Sequence, residues 1–306
     1  MATHYLDSRP GTVTDVFSRD LAPALTVDPG DRVVVHSLDA HGHLERQEFV
    51  GDLRPTMFSD RRGHCLCGPI AVRGAIPGMA LAVRFIDLRP DTWGWTTAGS
   101  KDTPLNRQLN VSAVKSSLIW EIDGDALVAT SNSGQRVRLA PFLGVVGMPP
   151  DEPGEHSTVP PRAAGGGNID CRSLVAGSVL YLPVTVPGAL LCVGDGHAAQ
   201  GDGEVGGTAI ECGMTTAIDL NLLADAPVDT IHATTPSGRI TFGFSNNLNE
   251  ATVAALDAML AWMQRLLGLQ KVEALALASV VVDLRITQVA NEVWGVHAVL
   301  PHDALG

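Results

Sequence analysis

Lysine and arginine are scarce in this chain: 21 of them face 33 aspartates and glutamates, giving a formal net charge of -12, and nowhere do the basic residues cluster. Nucleic-acid binding by counterion release needs a basic footprint, as does attraction to an anionic membrane, so neither partner is expected. A neutral or cationic small molecule suits the charge better. Long apolar runs are missing too. No stretch approaches the roughly 20 apolar residues of a membrane span. Met1-Ala-Thr-His-Tyr-Leu-Asp7 is too polar for a signal peptide, so the expected location is the cytoplasm. The five cysteines, at 65, 67, 171, 192 and 212, are odd in number and match neither a disulfide framework nor a paired zinc-ribbon spacing. They read as small core residues, with Cys65-Leu-Cys67 the one close pair. A dinucleotide fingerprint is also absent, because Gly165-Gly-Gly-Asn-Ile-Asp170 lacks the strand before it and the helix after it that such a motif requires.

What the chain does have is length, apolar residues and frequent turns. Its 306 residues, 45% of them hydrophobic, allow one large domain spanning 1–306 or two β-rich sub-domains joined near 141–164. Glycine and proline punctuate short strand-like runs such as Arg32-Val-Val-Val35, Ile70-Ala-Val-Arg73, Ala80 to Ile86 and Leu118-Ile-Trp-Glu-Ile122. The fold class is therefore mainly β, with sandwich-like or barrel-like sub-domains. Residues 89–117 read as a loop-rich insertion in which Trp93 and Trp95 either wall a small pocket or pack the loop down. The Pro-rich passage 141–162 reads as a crossing or a lid. One long amphipathic helix is predicted near the C-terminus, from Asn249 to Leu267, capped by Asn249 and ended by Gly268, with Val253, Leu256, Leu260, Met263 and Leu267 as its core stripe. A shorter helix is predicted at 272–279.

The chemistry concentrates between Cys192 and Cys212. There Asp195, His197, Gln200, Asp202 and Glu204 are separated almost wholly by glycine and alanine, spacers that neither shield polar groups nor resist tight turns. Carboxylate with imidazole is a donor set for a divalent cation, and a carboxylate beside such a cation can move protons. Apolar strands at 179–187 and 189–193 deliver this loop. Asn168 and Asp170, next to the three glycines, read as a second wall of the same site, and Glu211 on the next strand as either a further carboxylate of the site or a structural one.

The block GGGNID (165–170), YLPV (181–184), GDGHAAQGDGE (194–204) and TAIE (208–211) resembles the signature region of the acetamidase/formamidase family. The resemblance extends upstream to GPIAVRGAIPGM (68–79) and downstream to DLRITQVAN (283–291) and GVHAVLP (295–301), and so covers most of the chain. Gly165 stands where many members carry His, and Met79 where Asp is common. Asp39 matches an Asp at the end of a family strand, and His64 a His shortly before the Gly-Pro pair; His41 and His43 between them read as an exposed loop.

The resemblance implies a hydrolase that cleaves the C–N bond of a small aliphatic amide, formamide or acetamide, to ammonia and a carboxylate. The expected metal ligands are Asp39, Asp170, Asp195 and His197, and the expected proton carriers Glu204 and Glu211. His64, Asn168, Gln200 and Asp202 are expected to bind substrate or orient ligands. Zinc is the first choice of metal, calcium if oxygen ligands dominate, and a homo-oligomer is expected. Two alternatives stand beside this: a cysteine-nucleophile amidase using Cys171 or Cys192, against which the lack of α/β alternation speaks, and a non-catalytic β module in which the acidic loop clamps a cation.

Overall fold

The computed structural model describes residues 1–99 and 101–305. The chain is mainly β, as expected. One sheet runs, edge to edge, through the strands Thr3–Asp7, Arg32–Ser37, Met214–Leu223, Ala80–Pro90, Val179–Pro183, His232–Thr234, Gly238–Ser245, Trp294–Pro301 and Asp283–Gln288. The other is built on Arg136–Arg138, Val128–Ser131, Lys115–Asp123, Trp93–Gly99, Glu211–Cys212, Leu191–His197, Phe142–Gly147 and Gly166–Asn168, with Leu66–Val72 also paired to Leu191–His197. Alternation drives this arrangement: in Arg32–Ser37 every second side chain is buried, the period of a strand with one face on a core. Val33, Val83 and Leu180 of the first sheet share one apolar cluster with Leu143, Val146 and Val193 of the second, so the sheets bury their inner faces against each other.

Two segments depart from expectation. Trp93–Gly99 is a strand paired along its length with Lys115–Asp123, not part of a loop-rich insertion. Phe142–Gly147, at the start of the passage read as a crossing, is a wholly buried strand inserted between Leu191–His197 and Gly166–Asn168. The apolar run Phe-Leu-Gly-Val-Val-Gly was the signal, overshadowed by the prolines that follow it.

The long helix, Leu248–Leu267, ends on Gly268 in the left-handed conformation as expected, but its cap is Asn247, whose side chain accepts from the Asn249 amide. Its buried face includes Ala251, Ala255, Met259, Leu260 and Met263, so Leu260 and Met263 of the expected stripe are buried, whereas Val253 is 67% exposed and Leu267 41%. The expected stripe therefore holds in part and is shifted toward the small residues. The helix lies directly on Gly238–Ser245, where a Cβ at Gly243 would meet the Ala251 carbonyl and come within 2.6 Å of the Ala255 nitrogen, and only small side chains permit that approach. Because apolar residues surround this helix, hydrophobicity alone did not set its phase. The shorter helix expected after it is Lys271–Val281. Among the described residues no helix is long and apolar enough to cross a membrane.

This seating predicts that Met259→Ala costs about 2–5 kcal/mol, as cavity-forming changes do, while Val253→Ala stays within about 0.5 kcal/mol. Urea denaturation of the two variants checks this, and equal losses would contradict the assignment of the buried face.

Candidate active site

Strand register brings the polar residues together. His197 lies opposite both Glu211 and Phe142 on its two neighbouring strands, and Glu211 lies opposite Trp95 on the next. Directly opposed residues in antiparallel strands share a face, so Trp95, Glu211 and His197 form a row. The intervening glycines serve the other face. A Cβ at Gly194 would come within 2.9 Å of the Cys65 carbonyl, and one at Gly196 within 2.7 Å of the Cys212 carbonyl. In Gly-Asp-Gly-His, glycine lets the neighbouring backbones close in while Asp195 and His197 supply the chemistry.

Asp170, Asp195, His197, Glu204 and Glu211 converge in this region, each no more than 6% exposed. Two overlapping trios, Asp170/Asp195/His197 and His197/Glu204/Glu211, bring donor atoms within 4.8 Å of one another. Asp170, Asp195 and Glu204 all take positive φ, at 52°, 59° and 44°, a backbone region that non-glycine residues enter only where the surroundings enforce it. His197 Nδ1 lies 2.9 Å from Gln200 Oε1, and Gln200 Nε2 donates to the Asp170 carbonyl at 2.8 Å. With a proton on Nδ1, Nε2 is left facing Glu211 Oε2 at 3.3 Å and Asp195 Oδ2 at 3.5 Å, where it carries a proton in the cation-free cluster or a lone pair toward a cation. The edge of the Phe142 ring system fixes the imidazole from the side, the centroids 5.1 Å apart. Glu211 Oε1 accepts from the Ala209 amide at 2.9 Å.

The charges in this cluster are poorly balanced. Burial raises the Asp170 carboxyl well above its ordinary range, with Glu204 adding to the rise. Burial also lifts Glu204 to about 7 and Glu211 to about 8, against a partial opposing pull from His197. Asp195 goes the other way: burial would raise it, but His64 and His197 together hold it below the usual carboxylate range. For His197 burial favours the neutral ring, and Glu211 and Asp195 override it, so its pKa rises. Both oxygens of Asp170, Nε2 of His197 and Oε2 of Glu211 are buried without a hydrogen-bond partner. Buried polar atoms are rarely left so, and a divalent cation within either trio would give some of them a partner. The donor set fits a metal.

A cavity of about 470 Å³ opens onto the cluster. Asp195, Glu204 and Glu211 reach it, and His41, His64, Trp95 and Asn168 are among its walls. His64 Nε2 is 3.9 Å from Asp195 Oδ2, and its Nδ1 lies 2.9 Å from Thr158 Oγ1. Asn168 Oδ1 is buried and unpartnered. Trp95, one of the two aromatic residues left open between wall and packing, does line the cavity, with His41 against it at a centroid distance of 4.4 Å.

Two expected residues are not brought to the cluster. Asp39 is buried, but its oxygens are already taken: Oδ2 by His43 Nδ1 at 2.8 Å and Trp95 Nε1 at 3.3 Å, Oδ1 by the His41 amide at 2.8 Å. It organises the wall rather than joining the ligands, and His43 is nearly buried instead of exposed. Asp202 turns outward beside Arg285, 4.0 Å away. Nor does a cysteine nucleophile fit. Cys171 and Cys192 are buried in apolar surroundings that push both thiols up, Cys171 to about 12, and a thiol so placed is inert. All five cysteines are free.

The sequence reading missed Gly144. A Cβ there would lie 2.7 Å from Asp170 Oδ1 and 2.8 Å from His197 Cε1, and closer still to Asp195 Oδ2. An isolated glycine inside an apolar strand is the available signal for such a close approach.

The fold and this buried carboxylate–imidazole cluster define a β protein of two large packed sheets with a buried site suited to a cation. The chain matches the Acetamidase/Formamidase family over residues 4–155 and again over 154–304. It belongs to that family. It is 27% identical to the formamidase of Methylophilus methylotrophus over 65% of this chain and 62% of that protein. With the acetamidase of Mycolicibacterium smegmatis it shares 26% identity over 74% of this chain and 67% of the other. The aligned parts thus span only about six-tenths to two-thirds of the length of the curated relatives. The crystal structure of an acetamidase from Bacillus halodurans superposes with a TM-score of 0.85 at 26% identity, covering 97% of both chains.

If Gly144 is the floor that the ligands close over, Gly144→Ala displaces Asp170 and Asp195 and lowers the divalent-cation content of the purified protein by tenfold or more, while far-UV circular dichroism still reports an intact β fold. Full cation content in that variant would contradict the geometry.

Proposed function

We propose that this chain hydrolyses the C–N bond of a small aliphatic amide such as formamide or acetamide, releasing ammonia and a carboxylate, with a divalent cation held by Asp170, Asp195 and His197. The observation that carries this reading is the unpartnered donor atoms in two overlapping buried trios beside an accessible cavity. The family and the names of the relatives supply the substrate class.

An unactivated amide is a poor electrophile with a poor leaving group. Its carbonyl must be polarised, water made nucleophilic and the departing nitrogen protonated. A divalent cation supplies Lewis acidity toward the carbonyl and a better water nucleophile. The imidazole favours zinc; the surrounding carboxylates would equally accept a harder cation such as calcium.

The protein's own groups do the rest. Gln200 holds the His197 ring with Nε2 as the free acceptor, the orienting role that partners of metal-bound histidines play. Glu211, tied by one oxygen to the Ala209 amide, is held in place. Glu204 lines the cavity, and its raised pKa of about 7 suits proton transfer near neutrality. As the water oxygen bonds to the carbonyl carbon, Glu204 takes the water's proton, then gives it to nitrogen as the C–N bond breaks. Asn168, a cavity wall residue whose Oδ1 has no partner, would accept an N–H from the amide.

Chelation should abolish ammonia release from acetamide and added zinc should restore it. Glu204→Gln keeps shape and cation content but loses the titrating group, so turnover should fall by roughly the 10²- to 10⁴-fold typical of general acid–base groups. Turnover surviving in cation-free protein would sink the metal reading. An active but less stable Glu204→Gln would return Glu204 to the scaffold and make Glu211 the proton carrier to test.

A further inference from the structure

The chain as a whole is acidic, yet the outer walls of the cavity are not. Arg61, Arg62, Lys101 and Lys115 all line it. Arg62 is committed elsewhere, to Asp15 at 2.9 Å and to Glu155. Among the described residues no carboxylate lies within 4.0 Å of the charged nitrogens of Arg61, Lys101 or Lys115; Arg61 donates only to the Gly63 carbonyl, at 2.8 Å. These cations reach the cavity from two directions. Arg61 sits on the segment leading to His64. Lys115 begins the strand Lys115–Asp123 and pairs with Gly99, so it and Lys101 stand at one end of that strand pair. All three are exposed, whereas Asp195, Glu204 and Glu211 are buried, which gives the cavity an acidic floor and a basic rim.

Size points the same way. A volume of about 470 Å³ falls among pockets that hold ligands far larger than acetamide, roughly 300–1,000 Å³. Acetamide, with a handful of non-hydrogen atoms, would leave the rim untouched. Along the wall, Trp95 with His41 against it offers a surface for a short carbon chain.

We infer that the preferred substrate is a primary amide that also carries a carboxylate, its amide directed to the acidic floor and its carboxylate met by Arg61, Lys101 and Lys115. This rests on the amide-hydrolase reading, and it replaces the neutral or cationic partner that net charge alone suggests. Guanidinium can take a carboxylate through two parallel hydrogen bonds, and the lysines add point charge from a second segment of the chain. Hydrolysis balances as for any amide: the water oxygen bonds to the carbonyl carbon, a proton goes to nitrogen as the C–N bond breaks, and ammonia leaves with a dicarboxylate.

The test compares kcat/KM for succinamic acid, the half-amide of succinic acid, with that for butyramide, a neutral amide of the same chain length, in the intact enzyme. Succinamic acid should be favoured by about tenfold or more, the preference shrinking at high salt. Lys101→Gln/Lys115→Gln and Arg61→Gln should each bring the ratio toward one. Turnover of both amides with no preference, or with a preference indifferent to these variants, overturns the inference and leaves the hydrolase reading standing. If neither amide is turned over while acetamide is, the inference is overturned and the hydrolase reading stands; if acetamide resists as well, the hydrolase reading fails, and calorimetric titration with succinate and butyrate decides the rim. Succinate-selective binding lost in the variants supports the basic rim as an anion site; its absence sinks that as well.

Discussion

Carboxylates crowded into a volume that excludes water repel one another with little to screen them. At an effective dielectric constant of about 20, two unit charges about 4 Å apart interact with roughly 4 kcal/mol, and a whole domain is stable by only about 5–15 kcal/mol. Asp170, Asp195, Glu204 and Glu211 cannot all be ionised around one imidazole without compensation. Positive charge must enter from protons or from a cation. The raised pKa of Glu204, Glu211 and His197 shows the protons taking that role, and the unpartnered atoms of Asp170, His197 and Glu211 mark where a cation would replace them.

The rest of the structure holds that unfavourable arrangement in place. Antiparallel register fixes His197 against Glu211, glycines at 144, 194 and 196 let strands and ligands approach more closely than any side chain would allow, and left-handed backbone at Asp170, Asp195 and Glu204 aims the carboxylates. Strain of this kind persists only where the surroundings over-determine it, and the shared core of the two sheets provides those surroundings. Asp39 contributes at one remove by tying His41 and Trp95 into the cavity wall.

The central cluster was legible because its residues sit on short Gly-rich segments whose polar groups have few other uses: Asp170 after the triple glycine, Asp195, His197 and Glu204 in one loop, and Glu211 on the following strand. Asp39 was placed with them through its match to a family Asp and Asp202 through its place in the loop, but only the folded structure reveals that the oxygens of Asp39 are occupied and that Asp202 turns outward to Arg285. Gly144 was missed because a glycine announces nothing until the distance to its neighbours is known. The helix Leu248–Leu267 shows the same limit in the core: its ends follow from local capping chemistry, but its phase follows from how closely Gly243 lets it approach the sheet.

Calorimetric titration of the metal-free protein with zinc and with calcium near pH 7, in buffers of different ionisation enthalpy, tests the central claim by counting protons. Ligands that hold protons must release them when a cation binds. Asp170 and His197, both of whose pKa values are raised in the cation-free cluster, would give up their protons to a cation bound there. The account predicts saturable binding that releases at least one proton near pH 7 and progressively fewer as rising pH ionises those groups on their own. No binding, or binding with no proton release at neutral pH, would contradict it.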